Sequence, residues 1–166
     1  MTAVFRYCPH CAAPLIDAER GEALRRVCTD ESCGYIHWNN PTPVVAAIVE
    51  HDGHIVLAHN RSWPPKWYGL ITGFLEAGET PEQGVLREVE EELALAGRVE
   101  AFVGHYEFAR MNQLIIAYHV RAEGEIRLNE ELDDYRRIAP EKLRPWPGGT
   151  GAAVADWLRG RCLDPN

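Results

Sequence analysis

The sequence predicts a mixed α/β domain that carries a small cysteine-bearing appendage at its N-terminal end. Three observations support this. Four cysteines fall in close pairs, Cys8-Pro-His-Cys11 and Cys28-Thr-Asp-Glu-Ser-Cys33. A joint rich in asparagine and proline follows them, Asn39-Asn40-Pro41-Thr42-Pro43. Beyond the joint, short runs rich in β-branched residues surround one strongly signalled helix. We expect residues 1–40 to form the appendage and residues 41–166 the larger domain.

The elements of the larger domain are read in order. Val44 to Val49 is an unbroken apolar run, which suits a buried strand, and Asp52-Gly53 turns the chain into a second strand from Ile55 to Ala58. Ser62 to Trp67 holds two tryptophans and two prolines and reads as a loop leading into Gly69-Leu-Ile-Thr-Gly73. Thr80 is a good N-cap, Pro81 suits the first helical position, and Gln83 completes a capping box. After this helix, Val99 to Phe108 and Leu114 to Val120 are expected to pair around Met111-Asn112. A further short strand is expected over Gly124 to Leu128, an acidic loop over Glu130 to Asp134, and a helical turn over Pro140 to Leu143. Pro145 to Gly151 reads as a flexible break and Ala152 to Leu158 as a terminal helix. There is no internal repeat or low-complexity tract.

A chain of 166 residues is long enough for one domain with a substantial core plus an appendage. The formal net charge of −8 disfavours a nonspecific nucleic-acid binder, which would carry a basic face. Val44 to Val49, the longest apolar run, is far too short to cross a membrane. Arg6, Cys8 and His10 stand where a signal peptide would have its apolar region. The expectation is therefore a cytoplasmic protein without membrane or nucleic-acid partners.

The four paired cysteines give C-x2-C, sixteen residues, then C-x4-C, a pattern that suits a tetrahedral structural Zn²⁺ site with each pair forming one knuckle. A segment of this size has too little core to fold unaided, so bound metal would supply much of its folding free energy. Disulfides fit poorly with a reducing cytoplasm, and a redox C-x-x-C pair would leave the second pair unexplained. His10 sits inside the first knuckle, and Cys162 is isolated, a small hydrophobe by default.

Glu88 precedes Glu91 by three residues and Glu92 by four, so the three carboxylates share one helix face. Crowded carboxylates repel unless a cation sits among them, and oxygen-only ligands suit hard ions such as Mg²⁺ or Mn²⁺. Such ions act mainly on phosphates. A solvated acidic face is the ordinary meaning of a glutamate run. Gly73, Glu79 and Arg87 at fixed offsets shift the reading toward a metal site.

These residues resemble the Nudix box, G-x5-E-x7-R-E-U-x-E-E-x-G-U with U aliphatic, through Gly73, Glu79, Arg87, Glu88, Val89, Glu91, Glu92 and Leu95. Ala94 stands where the family has glycine. Together with the cysteines and the Asn-Pro-x-Pro-Val-Val entry strand, the box resembles zinc-ribbon Nudix hydrolases, the branch that includes NADH, FAD and ADP-ribose pyrophosphatases. The Ser-Gln-Pro-Trp-Pro-Phe-Pro element of NADH pyrophosphatases is absent, the corresponding region running from Ala101 to Arg110.

The resemblance implies an α/β/α sandwich with a zinc-ribbon appendage, and metal-dependent hydrolysis of a pyrophosphate linkage in a nucleoside diphosphate derivative. It implies that Glu88 and Glu92 hold Mg²⁺ or Mn²⁺, that Glu91 is a ligand or base, and that the Thr72 carbonyl is a further ligand. Arg87 and Glu79 are expected to brace the catalytic loop, and Glu131 to reach the metal or the attacking water. Trp63 and Trp67 are the best candidates for stacking on a base, ahead of Tyr106 and Phe108, and Arg61 and Arg110 are candidates for pairing with phosphate. His51, His54, His59, His105 and His119 show no ligand spacing. The expected partner is a small nucleotide, with a homodimer as one admissible assembly. Two competing readings are a nucleotide sensor that does not cut and a zinc-ribbon adaptor.

Overall fold

A computed structural model describes residues 5–163. Residues 1–4 and 164–166, the outer ends of the two expected domains, lie outside the described residues. The chain divides into two compact units, Met1–Pro41 and Thr42–Asn166.

The first unit is a three-stranded antiparallel sheet with β1 Leu15–Arg20, β2 Ala23–Cys28 and β3 Ile36–His37 in that order. β1 and β2 form a hairpin whose register runs from Leu15 opposite Cys28 to Arg20 opposite Ala23. Among the described residues, its buried apolar side chains are Cys8, Leu15 and Val27. Three such residues are too few to hold a fold by the hydrophobic effect alone.

The second unit is built on β4 Thr42–His51, whose burial explains its sequence. One edge of β4 pairs in parallel with β8 Gln113–Glu123 along its whole length. The other edge is shared: Val44 to Ala47 pair with β6 Ile71–Phe74, and Val49 to His51 pair with β5 His54–Asn60. β7 Ala96–Phe108 extends the sheet beyond β8, and β9 Leu132–Ile138 extends it beyond β5. Side chains of β4 alternate between two cores. Val45, Ala47 and Val49 pack with Val85, Val89 and Leu93 of α1 Pro81–Leu93. Ala46 and Ile48 pack with Val154, Trp157 and Leu158 of α2 Gly151–Gly160. A strand covered on both faces has no use for polar positions, so it reads as a continuous apolar run. The architecture is the expected α/β/α sandwich. Among the described residues, no helix is long and apolar enough to cross a membrane.

The start of α1 matches its local sequence. The Thr80 side chain accepts from the Gln83 N–H at 3.3 Å while Gln83 Oε1 accepts from the Thr80 N–H at 2.8 Å. Its end is less comfortable, because Ala94 caps the helix at φ 56° and ψ 30°. That left-handed conformation is where the family pattern has glycine, which carries no Cβ to clash.

Three expectations are corrected. Gly124 to Leu128 forms no strand. The segment runs instead over the end of α1, where the Arg127 N–H donates to the Leu93 carbonyl and the Asn129 N–H to that of Glu92. Free carbonyls at the helix C-terminus take the place of a strand partner. The acidic loop is shorter than expected, since β9 begins at Leu132 and pairs antiparallel with β5. β9 is an edge strand in which only Leu132 is buried, so its sequence, Leu-Asp-Asp-Tyr-Arg-Arg-Ile, lacks an apolar face. The stretch from Pro145 to Gly151 is not merely a break: Trp146 packs against the α2-side core, and Gly151 already belongs to α2.

Candidate functional site

The site grows from the α1 face that carries Glu88, Glu91 and Glu92. Arg87 organises it. Its Nε donates to Glu79 Oε1 at 2.7 Å and its Nη2 to Glu79 Oε2 at 3.1 Å, a forked pairing. Nη2 also donates to the Phe74 carbonyl at 3.1 Å, which ties β6 to the helix. Nη1 donates to Glu88 Oε1 at 2.7 Å and to Glu91 Oε2 at 3.0 Å. Glu79 in turn accepts from the Glu76 N–H at 3.1 Å, closing the loop before the helix. Arg87 and Glu79 thus hold their neighbours in place, and the arginine's hydrogen bond keeps the Glu79 carboxyl below its usual range.

Gly73 has a steric reason. A Cβ on this residue would lie 1.8 Å from Glu88 Oε1 and 1.9 Å from its Cδ. The Glu88 carboxylate therefore lies directly over the glycine, 13% exposed, whereas Glu91 is 57% exposed. Burial raises the Glu88 carboxyl, with Arg87 opposing and the charges of Glu91 and Glu131 adding to the rise. Glu92 has no such cation beside it. Burial, then the charges of Glu88, Glu131 and Glu91, push it up to about 8. Burial and neighbouring carboxylates raise the affinity of Glu88 and Glu92 for protons, and the same surroundings make the pair receptive to a metal cation.

Glu131 comes to this cluster from the turn before β9, where its N–H donates to Asn129 Oδ1 at 3.0 Å and its carbonyl accepts from the Arg61 N–H at 2.9 Å. Glu92 and Glu131 line a small acidic pocket of about 70 Å³ together with Thr72, Asn60, Trp63 and Leu70. Thr72, Trp63 and Leu70 also line a second, larger cavity of about 740 Å³, whose walls include Trp67, Tyr68, Phe108 and Trp146. A carboxylate pocket and an aromatic cavity thus share a wall. Trp63 reaches that wall because Gly69 leaves room for it: a Cβ there would lie 2.9 Å from the indole Cη2.

The predicted residues are placed as follows. Glu88, Glu91, Glu92 and Glu131 interact with one another, and Thr72 lies at the junction of the two chambers. Trp63, Trp67, Phe108 and Arg110 line the aromatic cavity. Arg61 is exposed and lines neither chamber. The Tyr106 hydroxyl donates to Asp156 at 2.8 Å, pinning α2 to β7. Sequence reasoning missed Trp146 as a cavity wall, although Pro-Trp-Pro-Gly-Gly was a visible signal of an unusual loop. It also gave no role to His59, whose Nδ1 lies 2.5 Å from Asp133 Oδ1 beside the tryptophan loop, or to His119, whose Nε2 lies 2.9 Å from Glu50.

In the first unit, one Sγ from each of Cys8, Cys11, Cys28 and Cys33 lies within 4.8 Å of the others. Cys8 and Cys33 Sγ are 3.7 Å apart and Cys11 and Cys28 Sγ 3.4 Å apart. All four are free thiols, at separations far beyond the roughly 2.05 Å of a disulfide. A tetrahedron with Zn–S bonds of about 2.3 Å has edges of about 3.8 Å. Main-chain N–H groups of His10 and Asp30 point at Cys8 and Cys28 Sγ, each at 3.4 Å, as donors that favour thiolate. The His10 ring lies against Tyr35 instead of joining the thiols.

The NUDIX domain family matches residues 40–157, which takes in the whole α/β/α sandwich up to Trp157 of α2. The chain belongs to the Nudix family. Among curated Nudix relatives, an NAD-capped RNA hydrolase NudC of Chromobacterium violaceum is 30% identical over 131 residues, covering 78% of this chain and 48% of the relative. One from Pseudomonas aeruginosa is 27% identical over 144 residues, covering 86% of this chain and 50% of the relative. The chain thus spans about half the length of the curated relatives it matches. A Nudix hydrolase structure from Nitrosomonas europaea superposes with a TM-score of 0.77 at 21% identity, covering 95% of this chain and 93% of that one. An ADP-ribose pyrophosphatase from Streptococcus suis gives a TM-score of 0.61 at 18% identity, covering 74% and 92%. At these identities the structural likeness concerns the fold.

Proposed function

We propose that this chain is a Mg²⁺- or Mn²⁺-dependent pyrophosphohydrolase that cuts the diphosphate linkage of a nucleoside diphosphate derivative of the ADP-ribose, FAD or NADH type. The observation that carries the reading is the shared wall between the two chambers, which sets a phosphate-cutting pocket against a base-binding one. Glu88 and Glu92 would hold the cation, with Glu91 and the Thr72 carbonyl as further ligands. Such an ion, when bound, neutralises phosphate oxygens and acidifies water. The chain's own residues do the rest. Glu131, or Glu91, accepts the proton of the attacking water. Arg87 and Glu79 keep the carboxylates and the loop in register. Trp63 and Trp67 stack on the base and hold the scissile linkage toward the carboxylates. The role of Arg61 at a phosphate rests on its sequence position beside this loop.

The same reading makes residues 1–40 a zinc ribbon and residues 41–166 the hydrolase domain. Thiol separations near the edge of a zinc–thiolate tetrahedron support the ribbon. A cytoplasmic location and a homodimer complete the proposal. The relatives' activity on NAD-capped RNA adds a capped RNA end to the substrates worth testing, against the expectation of no nucleic-acid partner. The test is incubation with Mg²⁺ and ADP-ribose, FAD, NADH, NAD-capped RNA and nucleoside triphosphates. Release of a nucleoside monophosphate from a diphosphate-linked compound is the expected result. Absence of turnover across the panel would favour the sensor or the adaptor.

A further inference from the structure

The aromatic cavity carries a charge pattern that cutting a diphosphate does not require. In a chain of net charge −8, the charged residues lining it are, among the described residues, Lys66 and Arg110, with no carboxylate. The acidic pocket next to it is lined by neither cation. A diphosphate held by metal at Glu88 and Glu92 would therefore leave these two cations facing the far part of the substrate. Among the described residues, neither Lys66 nor Arg110 forms an ion pair.

Both are presented by constrained backbone. Lys66 has φ 76°, in the left-handed region that is uncommon for a residue with a side chain. The turn around it is closed by the Trp67 N–H donating to the Pro64 carbonyl at 3.2 Å. The loop is then anchored to β5 and β9. The His59 ring bridges Asp133 at 2.5 Å and the Pro64 carbonyl at 3.3 Å, and the Tyr68 hydroxyl donates to Asp134. The Arg136 guanidinium lies 3.9 Å from the centre of the Tyr68 ring. Arg110 belongs to the tight 3₁₀ turn Ala109–Met111 between β7 and β8. Two cations held on separate elements around one aromatic cavity recognise an anion attached to whatever stacks there.

We infer that Lys66 and Arg110 select nucleotides whose stacked nucleoside bears an additional phosphate on its ribose, beyond the diphosphate that is cut. The inference rests on the proposed site, since it takes the aromatic cavity as the nucleoside chamber. The shared chemistry is a ribose phosphate, at the 2′ or the 3′ position.

The test is calorimetric binding to the full chain without added divalent metal. The ligands are adenosine 5′-monophosphate, adenosine 2′,5′-bisphosphate and adenosine 3′,5′-bisphosphate. One bisphosphate should bind about tenfold more tightly than the monophosphate, as expected for one added charge-assisted contact, and the better one identifies the position. In Arg110→Gln and in Lys66→Gln that preference should fall severalfold, and Lys66→Arg should restore it. Bisphosphates that bind no better than the monophosphate, or a preference that survives in the double variant Lys66→Gln/Arg110→Gln, would overturn the inference. Both side chains are exposed, so circular dichroism should show the variants folded. Failure of the hydrolase reading would appear separately, as no turnover in the substrate panel with the binding preference unchanged.

Discussion

The thiol cluster of the first unit and the carboxylate cluster on α1 both gather anionic ligands, but the fold closes them to different degrees. Cys8, Cys11, Cys28 and Cys33 already stand at separations close to those of a zinc–thiolate tetrahedron, inside a unit with little else to hold it together. Glu88, Glu91, Glu92 and Glu131 are brought together by the wider fold. Arg87 and Gly73 position Glu88, the helix positions Glu92, and a turn before β9 brings in Glu131. A site that the metal itself builds should bind tightly and serve structure. A site that protein packing builds, open to a pocket and crowded with like charge, should bind weakly and exchange. The mutations below test this contrast, starting with the largest expected effect.

Glu92→Gln keeps the volume of the side chain and removes one charged ligand. It should lower kcat by about a hundredfold or more and raise the Mg²⁺ requirement, with the fold unchanged by circular dichroism. Glu90→Gln is the control. Glu90 is exposed and outside the carboxylate cluster, so turnover should stay near wild type. Equal damage from both would mean that the helix face has been wrongly assigned.

Gly73→Ala should come next. The new methyl displaces the Glu88 carboxylate without changing any charge, and a loss of about ten- to a hundredfold in activity is expected, partly recovered at high Mg²⁺. Unchanged kinetics would show that the position of Glu88 over Gly73 is unimportant.

The carboxylate cluster should also leave a mark on stability. Folding raises the Glu92 carboxyl from 4.5 to about 8 and raises that of Glu88 as well. The folded state therefore holds protons that the unfolded state releases. This contribution is fully present below pH 4.5 and is lost as pH rises toward about 8. Melting scans of metal-free protein should show Mg²⁺ raising Tm more at pH 8 than at pH 5.5. An increment that is the same at both pH values would contradict the linkage.

The smallest effect is expected at Ala94. Glycine relieves the left-handed strain at φ 56° but loosens the unfolded chain, so Ala94→Gly should stabilise by only about 0.5 kcal/mol in denaturant titrations. Destabilisation would mean that the cap is held by more than backbone geometry.

What could be read from the sequence was mainly local. The capping box at Thr80 and Gln83, the shared face of Glu88 and Glu92, and the doubly buried run of β4 are all fixed by short spacings. What could not be read was long-range. β9 hides its strand character because it is a charged edge, held by β5 rather than by an apolar face of its own. The segment from Gly124 to Leu128 reads as a strand, but the chain there runs over the end of α1, where the N–H groups of Arg127 and Asn129 find their acceptors. Trp146 becomes a cavity wall only because α2 folds back over the sheet, which its Pro-Gly surroundings do not reveal. Glu131 reaches the acidic pocket from the loop in which the sequence places it, and only the end of that loop, cut short by β9 at Leu132, escaped the reading.

The contrast between the two clusters is tested most directly by elemental analysis of the protein after mild EDTA treatment and dialysis. The account predicts about one zinc per chain, with no magnesium or manganese retained, and Mg²⁺ alone restoring any hydrolysis the treatment removed. A protein without zinc, its Cys8–Cys33 region oxidised to disulfides, would contradict it.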